Sequence, residues 1–148
     1  MNRFRRSLGA AFALAAVLAT AHAASANTSI GAGVFFPNDG DSTVGVVGTL
    51  GLSSVPLLPV RPQITGAFLG GDGGRYAFTG EAEFQASKGF LGVGAGIGKM
   101  NRFGDSGLLF DLFGGFPIAP HVNVEARFYG AGGNNVGSAS YLGLSLGL

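Results

Sequence analysis

The sequence predicts an all-β fold, an eight-stranded antiparallel up-and-down β-barrel, and three observations lead to that prediction. Apolar residues alternate with other residues at a period of two in eight separate segments, which is the side-chain period of a β-strand. Glycine accounts for 28 of the 148 residues, well above its typical usage of roughly 7%. Charged residues make up only 11% of the chain. The pattern therefore indicates a folded β-protein with few charges, in which some strand faces consist largely of glycine.

The first 26 residues differ from the rest in composition. Arg3, Arg5 and Arg6 precede an apolar run over residues 8–21, and two small-residue cleavage patterns follow, ending at Ala23 and Ala26. This order is typical of a secretory signal peptide, and the run is shorter than the ~20 residues that a membrane-spanning helix needs. We predict a signal peptide over 1–26 and a barrel domain over 27–148. Cleavage leaves six basic and eight acidic residues, so the formal net charge becomes −2.

The alternating segments are 29–36, 43–52, 61–70, 75–86, 89–100, 107–116, 121–130 and 138–148. In the fifth segment one face is aliphatic and the other is almost entirely glycine. The connections contain Gly, Asn, Asp and Pro, including a turn predicted over 117–120, and each can join antiparallel neighbours. Pairing the first strand with the last removes both edges of such a sheet. The segments therefore predict a closed barrel.

The apolar face of each strand points inward in a water-soluble barrel and outward in a membrane barrel. A soluble surface normally contains roughly a quarter to a third charged residues, more than this chain can supply. The segments contain about eight to twelve residues, close to the ~9–11 of a membrane-spanning strand. We therefore predict a transmembrane β-barrel. Aromatic residues near the segment ends are expected to form interfacial girdles: Phe36, Phe68, Tyr76, Phe84, Phe116 and Phe128.

The second half of the chain carries a more specific pattern. From Gly115 to Tyr129 a strand, a short proline-containing turn and a second strand follow one another, and the second strand places Glu125 and Arg127 on its polar face. The last segment contains a glycine followed by two spaced hydrophobic residues, with leucine where an aromatic residue is usual at the end. In these features the chain resembles the small eight-stranded outer-membrane β-barrels of the OmpA/OmpX type, often labelled the porin family. The residues that match the family's insertion signal are Gly143, Leu146 and Leu148.

This resemblance implies a bacterial outer-membrane location, contact with outer-membrane lipid and insertion by the barrel-assembly machinery. The polar face then lies in the lumen, where charges are too costly to be left unpaired. We expect a network of salt bridges and hydrogen bonds that plugs the barrel rather than a gated ion path. Its members are Arg75, Glu81, Glu83, Asp111, Glu125 and Arg127. We also expect Phe35, Phe113 or Tyr141 to fill the space beside the glycine face.

The sequence thus predicts a non-enzymatic integral outer-membrane β-barrel with a structural, surface-interaction or weak-pore role, acting as a monomer without cofactor or metal. The absence of cysteine excludes thiol chemistry and cysteine-based zinc sites. The scattered charges give no reason to expect nucleic acid, and His121 has no serine or acidic residue at a motif spacing. Two alternatives stay open: a lipid-modifying outer-membrane barrel enzyme, and a soluble secreted β-barrel that binds an apolar ligand.

Overall fold

The computed structural model describes residues 28–52, 59–133 and 135–148. The predicted signal peptide over 1–26 lies outside these ranges. Among the described residues, no helix is long and apolar enough to cross a membrane. The described ranges contain eight strands and no helix.

Each of the eight predicted segments overlaps one strand. The strands are β1 Thr28–Pro37, β2 Thr43–Gly51, β3 Val60–Leu69, β4 Tyr76–Ala86, β5 Gly89–Lys99, β6 Gly107–Ala119, β7 Val122–Ala131 and β8 Ala139–Gly147. Each strand pairs antiparallel with its neighbours in sequence, and β1 also pairs with β8, from Ser29 opposite Gly147 to Pro37 opposite Ala139. The predicted all-β, closed, eight-stranded antiparallel barrel is therefore confirmed.

The barrel has two different ends. The loop end carries the connections β1–β2, β3–β4, β5–β6 and β7–β8, and the terminal end carries the other three connections together with Thr28 and Leu148. The β4–β5 and β6–β7 connections at the terminal end contain only two residues each, 87–88 and 120–121. Each of the four connections at the loop end is longer than these two turns, so the two ends of the barrel differ in loop length.

The predicted turn over 117–120 is wrong. Strand β6 continues to Ala119, with Pro117 opposite Asn123 and a register shift between Pro117 and Ala119. The reversal is made instead by Pro120 and His121, and His121 has a φ of 63°, a left-handed conformation that a tight turn requires. The His121 carbonyl oxygen accepts a hydrogen bond from the Gly147 amide at 2.7 Å. A bulge at the strand end therefore accommodates a proline that the sequence pattern assigned to the turn.

The two faces of the sheet have opposite character. All eight strands expose large apolar side chains on the outside, and Val93 and Leu144 are each 51% exposed. The polar residues of the alternate positions are buried inside; Asp111 and Arg127 are 3% and 4% exposed. The apolar face thus points outward, as expected from the low charge content. Phe36, Phe68, Phe84, Phe116 and Phe128 are exposed on the outer face near the strand ends.

Glycines allow the strand walls and interior side chains to approach closely. A Cβ on Gly96 would overlap the carbonyl oxygen of Phe78 on β4. Of the three residues expected to fill the space beside the glycine face, Phe113 does so: its ring occupies the position of a Cβ on Gly92. Phe35 and Tyr141 instead cover glycines of other strands. A Cβ added to Gly33, for example, would lie 2.8 Å from Cε2 of Tyr141.

Candidate functional site: the barrel interior

A charged cluster in the middle of the interior is centred on Arg127 of β7. Its Nη1 donates to Glu81 Oε1 at 2.7 Å and to Asp111 Oδ2 at 2.6 Å, and its Nε donates to Glu125 Oε1. The guanidinium also lies 4.3 Å from the centre of the Phe113 ring, within cation–π range. One guanidinium thus connects β4, β6 and β7 across the lumen.

Neutral side chains complete the hydrogen bonding of Glu81. Gln63 Nε2 and Thr65 Oγ1 donate to its Oε2 at 2.7 and 2.9 Å, and Thr79 Oγ1 donates to its Oε1 at 2.6 Å. The Thr65 hydroxyl also lies 3.1 Å from that of Thr49. Glu81 therefore has partners on three strands, and removal of one charge from such a buried network typically costs about 3–5 kcal/mol.

An aromatic plug fills the interior between this cluster and the loop end. Phe35 packs against Tyr141 with ring centres 4.7 Å apart and against Tyr129 at 6.3 Å. Met100 and Leu109 are fully buried in the same apolar cluster. The hydroxyls of Tyr129 and Tyr141 are buried and have no hydrogen-bond partner in the described part of the chain.

The connections at the loop end are bonded to one another over this plug. The backbone amides of Met100 and Asn101 both donate to the Val136 carbonyl at 2.8 Å, which joins the β5–β6 and β7–β8 connections. Arg102 lies 3.2 Å from Asp72, and its backbone amide donates to Asp39. These bonds link all four connections at this end.

Toward the terminal end the interior widens into a cavity of about 410 Å³, the terminal-end vestibule. Glu83 lies in its wall, 3.5 Å from Arg61 on β3, and accepts a hydrogen bond from Gln85. The side chains that line the vestibule include Arg61, Gln63, Glu83, Asn123, Glu125 and Ser145.

The structure brings four of the six predicted network residues together, namely Glu81, Asp111, Glu125 and Arg127. Glu83 lies in the vestibule beside them and pairs with Arg61 instead. The prediction that Arg75 joins this luminal network is wrong. Arg75 precedes β4 at the loop end, where it lies 3.6 Å from Asp39, because its position is set by the β3–β4 connection rather than by the strand pleat.

Sequence reasoning missed the neutral partners of the cluster and the base that pairs with Glu83. Gln63, Thr65 and Thr79 all lie on polar strand faces, so the alternation placed them inside but did not show that they converge on Glu81. Arg61 lies directly opposite Glu83 in the β3–β4 register. That register was the signal that could have identified the pair.

The three residues of the suggested insertion signal differ in their surroundings. Leu146 and Leu148 are exposed on the outside at the terminal end. Gly143 faces the interior, where a Cβ would lie 2.5 Å from Cζ of Tyr141 and 2.6 Å from the Ala32 carbonyl oxygen. A packing requirement therefore accounts for this glycine.

The charged side chains in the middle of the interior are bonded to one another. The vestibule adds polar side chains that are open to the terminal end of the barrel.

In comparisons with known proteins, no protein-family model matches the chain and no curated protein is significantly similar to it.

Proposed function

We propose that the protein is a non-enzymatic integral outer-membrane β-barrel whose lumen is blocked by side chains. One observation carries the proposal: the outer face is apolar on all eight strands, while the strands bury charged side chains inside, namely Glu81, Glu83, Asp111, Glu125 and Arg127. Soluble monomers rarely expose an apolar patch larger than about 300–600 Å². A lipid bilayer is the solvent that suits an apolar belt around the whole circumference.

The interior supports a structural or surface-interaction role more than steady ion conduction. The Arg127 cluster crosses the middle of the lumen, and the aromatic plug and bonded loops follow toward the loop end. Passage of ions would require these contacts to open together. On this proposal the barrel conducts rarely or not at all.

The location proposed is the outer membrane, reached through a cleaved signal peptide over 1–26 and with the help of the barrel-assembly machinery. Leu146 and Leu148, exposed on the outer face, are available to that machinery. Outer-membrane lipid is the proposed partner of the apolar belt.

The decisive experiment combines cell fractionation with heat-modified gel mobility. We expect the protein in the outer-membrane fraction, resistant to alkaline extraction, with a faster band before boiling than after. Recovery in the soluble periplasmic fraction without detergent would contradict the proposal and favour the soluble apolar-ligand barrel. A change in the mass of lipid A on expression would favour the lipid-modifying enzyme.

A further inference from the structure

We infer that Asp111 of β6 keeps its proton at neutral pH and that this proton holds the Arg127 cluster closed across the lumen. The Asp111 side chain is wholly buried, in the middle of the interior. The groups that act on it all lie inside the barrel, so the proton is held wherever in the cell the barrel is located.

One guanidinium serves three buried carboxylates. Nε of Arg127 donates to Glu125, while Nη1 lies 2.7 Å from Glu81 Oε1 and 2.6 Å from Asp111 Oδ2. With all three acids ionised, two negative charges would be left unbalanced away from water, which is costly. Glu81 and Asp111 contact the same nitrogen, so their oxygens lie close together, and two carboxylates that share a site hold one proton between them.

Hydrogen-bond donors distinguish the two members of this pair. Four donors stabilise the negative charge of Glu81, and they come from Gln63, Thr65, Thr79 and Arg127. Among the described residues, Asp111 accepts a hydrogen bond from Arg127 alone, and its Oδ1 is buried without a partner. An ionised carboxylate is therefore better stabilised at Glu81, and the shared proton resides on Asp111.

The strands around Asp111 offer it no second base. Gly94 lies opposite it on β5 and Tyr129 lies opposite it on β7. The tyrosine is neutral at neutral pH, and its hydroxyl is buried without a partner in the described chain. The other titratable or charged groups of the cluster are Glu81 on β4 and Glu125 and Arg127 on β7. Arg127 is thus the one positive charge that contacts Asp111 in the described part of the chain.

Loss of the proton would change the contacts that cross the lumen. It would place a second negative charge beside Glu81 on the same nitrogen, and the two carboxylates would repel each other. Arg127 joins β4 to β6 through these two acids, so the repulsion weakens the connection between the strands. We therefore expect the closed interior to open more often at alkaline pH than at neutral pH.

The direct test is infrared spectroscopy of the full chain folded in detergent, with and without ¹³C-labelled aspartate. The chain contains five aspartates, and the other four lie in loop-end connections, namely Asp39, Asp41, Asp72 and Asp105. At neutral pH we expect the carbonyl band of a protonated carboxylic acid that shifts on labelling and is missing in Asp111→Asn. Absence of this band in the unmodified, folded protein would overturn the inference.

Two neutral replacements of the same shape separate the members of the pair. Glu81→Gln is expected to lower the folding equilibrium constant at neutral pH by about 100-fold or more, because it removes a buried charge that is bonded to a guanidinium. Asp111→Asn is expected to leave this constant unchanged or to raise it. Urea titration gives both values, and heat-modified gel mobility checks that each variant is folded. Equal losses in the two variants would overturn the inference.

The pH dependence has a different sign for a protonated and for an ionised Asp111. The unfolded chain releases this proton at about pH 3.9 and the folded barrel retains it, so the stability of the unmodified protein relative to Asp111→Asn falls as the pH rises above about 4. The fall ends where Asp111 ionises in the folded barrel. A relative stability that rises or stays level from this pH to neutral pH would overturn the inference.

Planar-bilayer recordings test the link between the proton and the closed lumen. We expect openings of the unmodified protein to become more frequent from neutral to alkaline pH and those of Asp111→Asn to stay as rare as at neutral pH. The same increase in both proteins, or no increase in the unmodified protein, would overturn this link.

Discussion

An arginine placed on the outer face of β8 is expected to be far more costly than one placed on the adjacent inner position. Leu144 is 51% exposed on the outside and pairs with Ala32 in the middle of β1, so it lies near the middle of the apolar belt. An outward-facing arginine near a bilayer midplane costs about 2–4 kcal/mol. Leu144→Arg is therefore expected to lower the folding equilibrium constant by about 30-fold to nearly 1,000-fold.

The matched control is Ser145→Arg, one residue further along the same strand. Ser145 is 4% exposed and lines the vestibule, a cavity of about 410 Å³ with room for a guanidinium and with the Glu125 carboxylate in its wall. We expect a change within about 1 kcal/mol. The assay is urea-dependent folding into phosphatidylcholine liposomes, followed by heat-modified mobility. Equal destabilisation by the two substitutions, or a greater loss from Ser145→Arg, would refute the outward orientation of the apolar face toward lipid.

Three further outcomes can be measured in the same system. Arg127→Ala leaves three carboxylates without their guanidinium, so we expect the free energy of unfolding in urea titrations to fall by about 3–5 kcal/mol and openings in planar-bilayer recordings to become more frequent. Large, steady conductance in the unmodified protein would contradict the closed lumen. Gly96→Ala forces a Cβ against the β4 backbone and is expected to lower the free energy of unfolding by about 1–3 kcal/mol. Gly80→Ala, whose Cβ would meet nothing within 4 Å, is the control without such an effect, and equal losses from the two substitutions would refute the close approach of β4 and β5. Tyr129→Phe removes a buried hydroxyl without a partner, so urea titration is expected to show unchanged stability or a gain of about 1 kcal/mol, and a clear loss would mean that the hydroxyl is bonded.

The sequence sufficed for the fold because each piece of evidence was local. Alternation within a segment identifies a strand and its two faces, and short connections restrict the pairing to neighbours. The charge content then distinguished the two possible orientations of the faces. None of these inferences required knowledge of distant residues.

The interior could be predicted only in part because its contacts depend on the register between strands. Glu81 and Arg127 were both assigned to the lumen, but their bond joins residues 46 positions apart across the barrel. Arg75 shared the polar parity and was misplaced, since the connection before β4 carries it to Asp39. The proline at 117 was assigned to a turn because a bulge leaves no mark in the alternation.

Closure through β1 and β8 also determines the order in which this fold can be completed. Strand β1 pairs with two strands. One of them, β2, follows directly in sequence, whereas the other, β8, begins only at Ala139. Until β8 arrives, every partly formed sheet has two unpaired edges, and its apolar face cannot yet join into a continuous belt. Such intermediates are prone to aggregate, and the long sequence separation slows the closing step. A chain that stays unfolded until all eight strands can assemble together avoids exposing these edges.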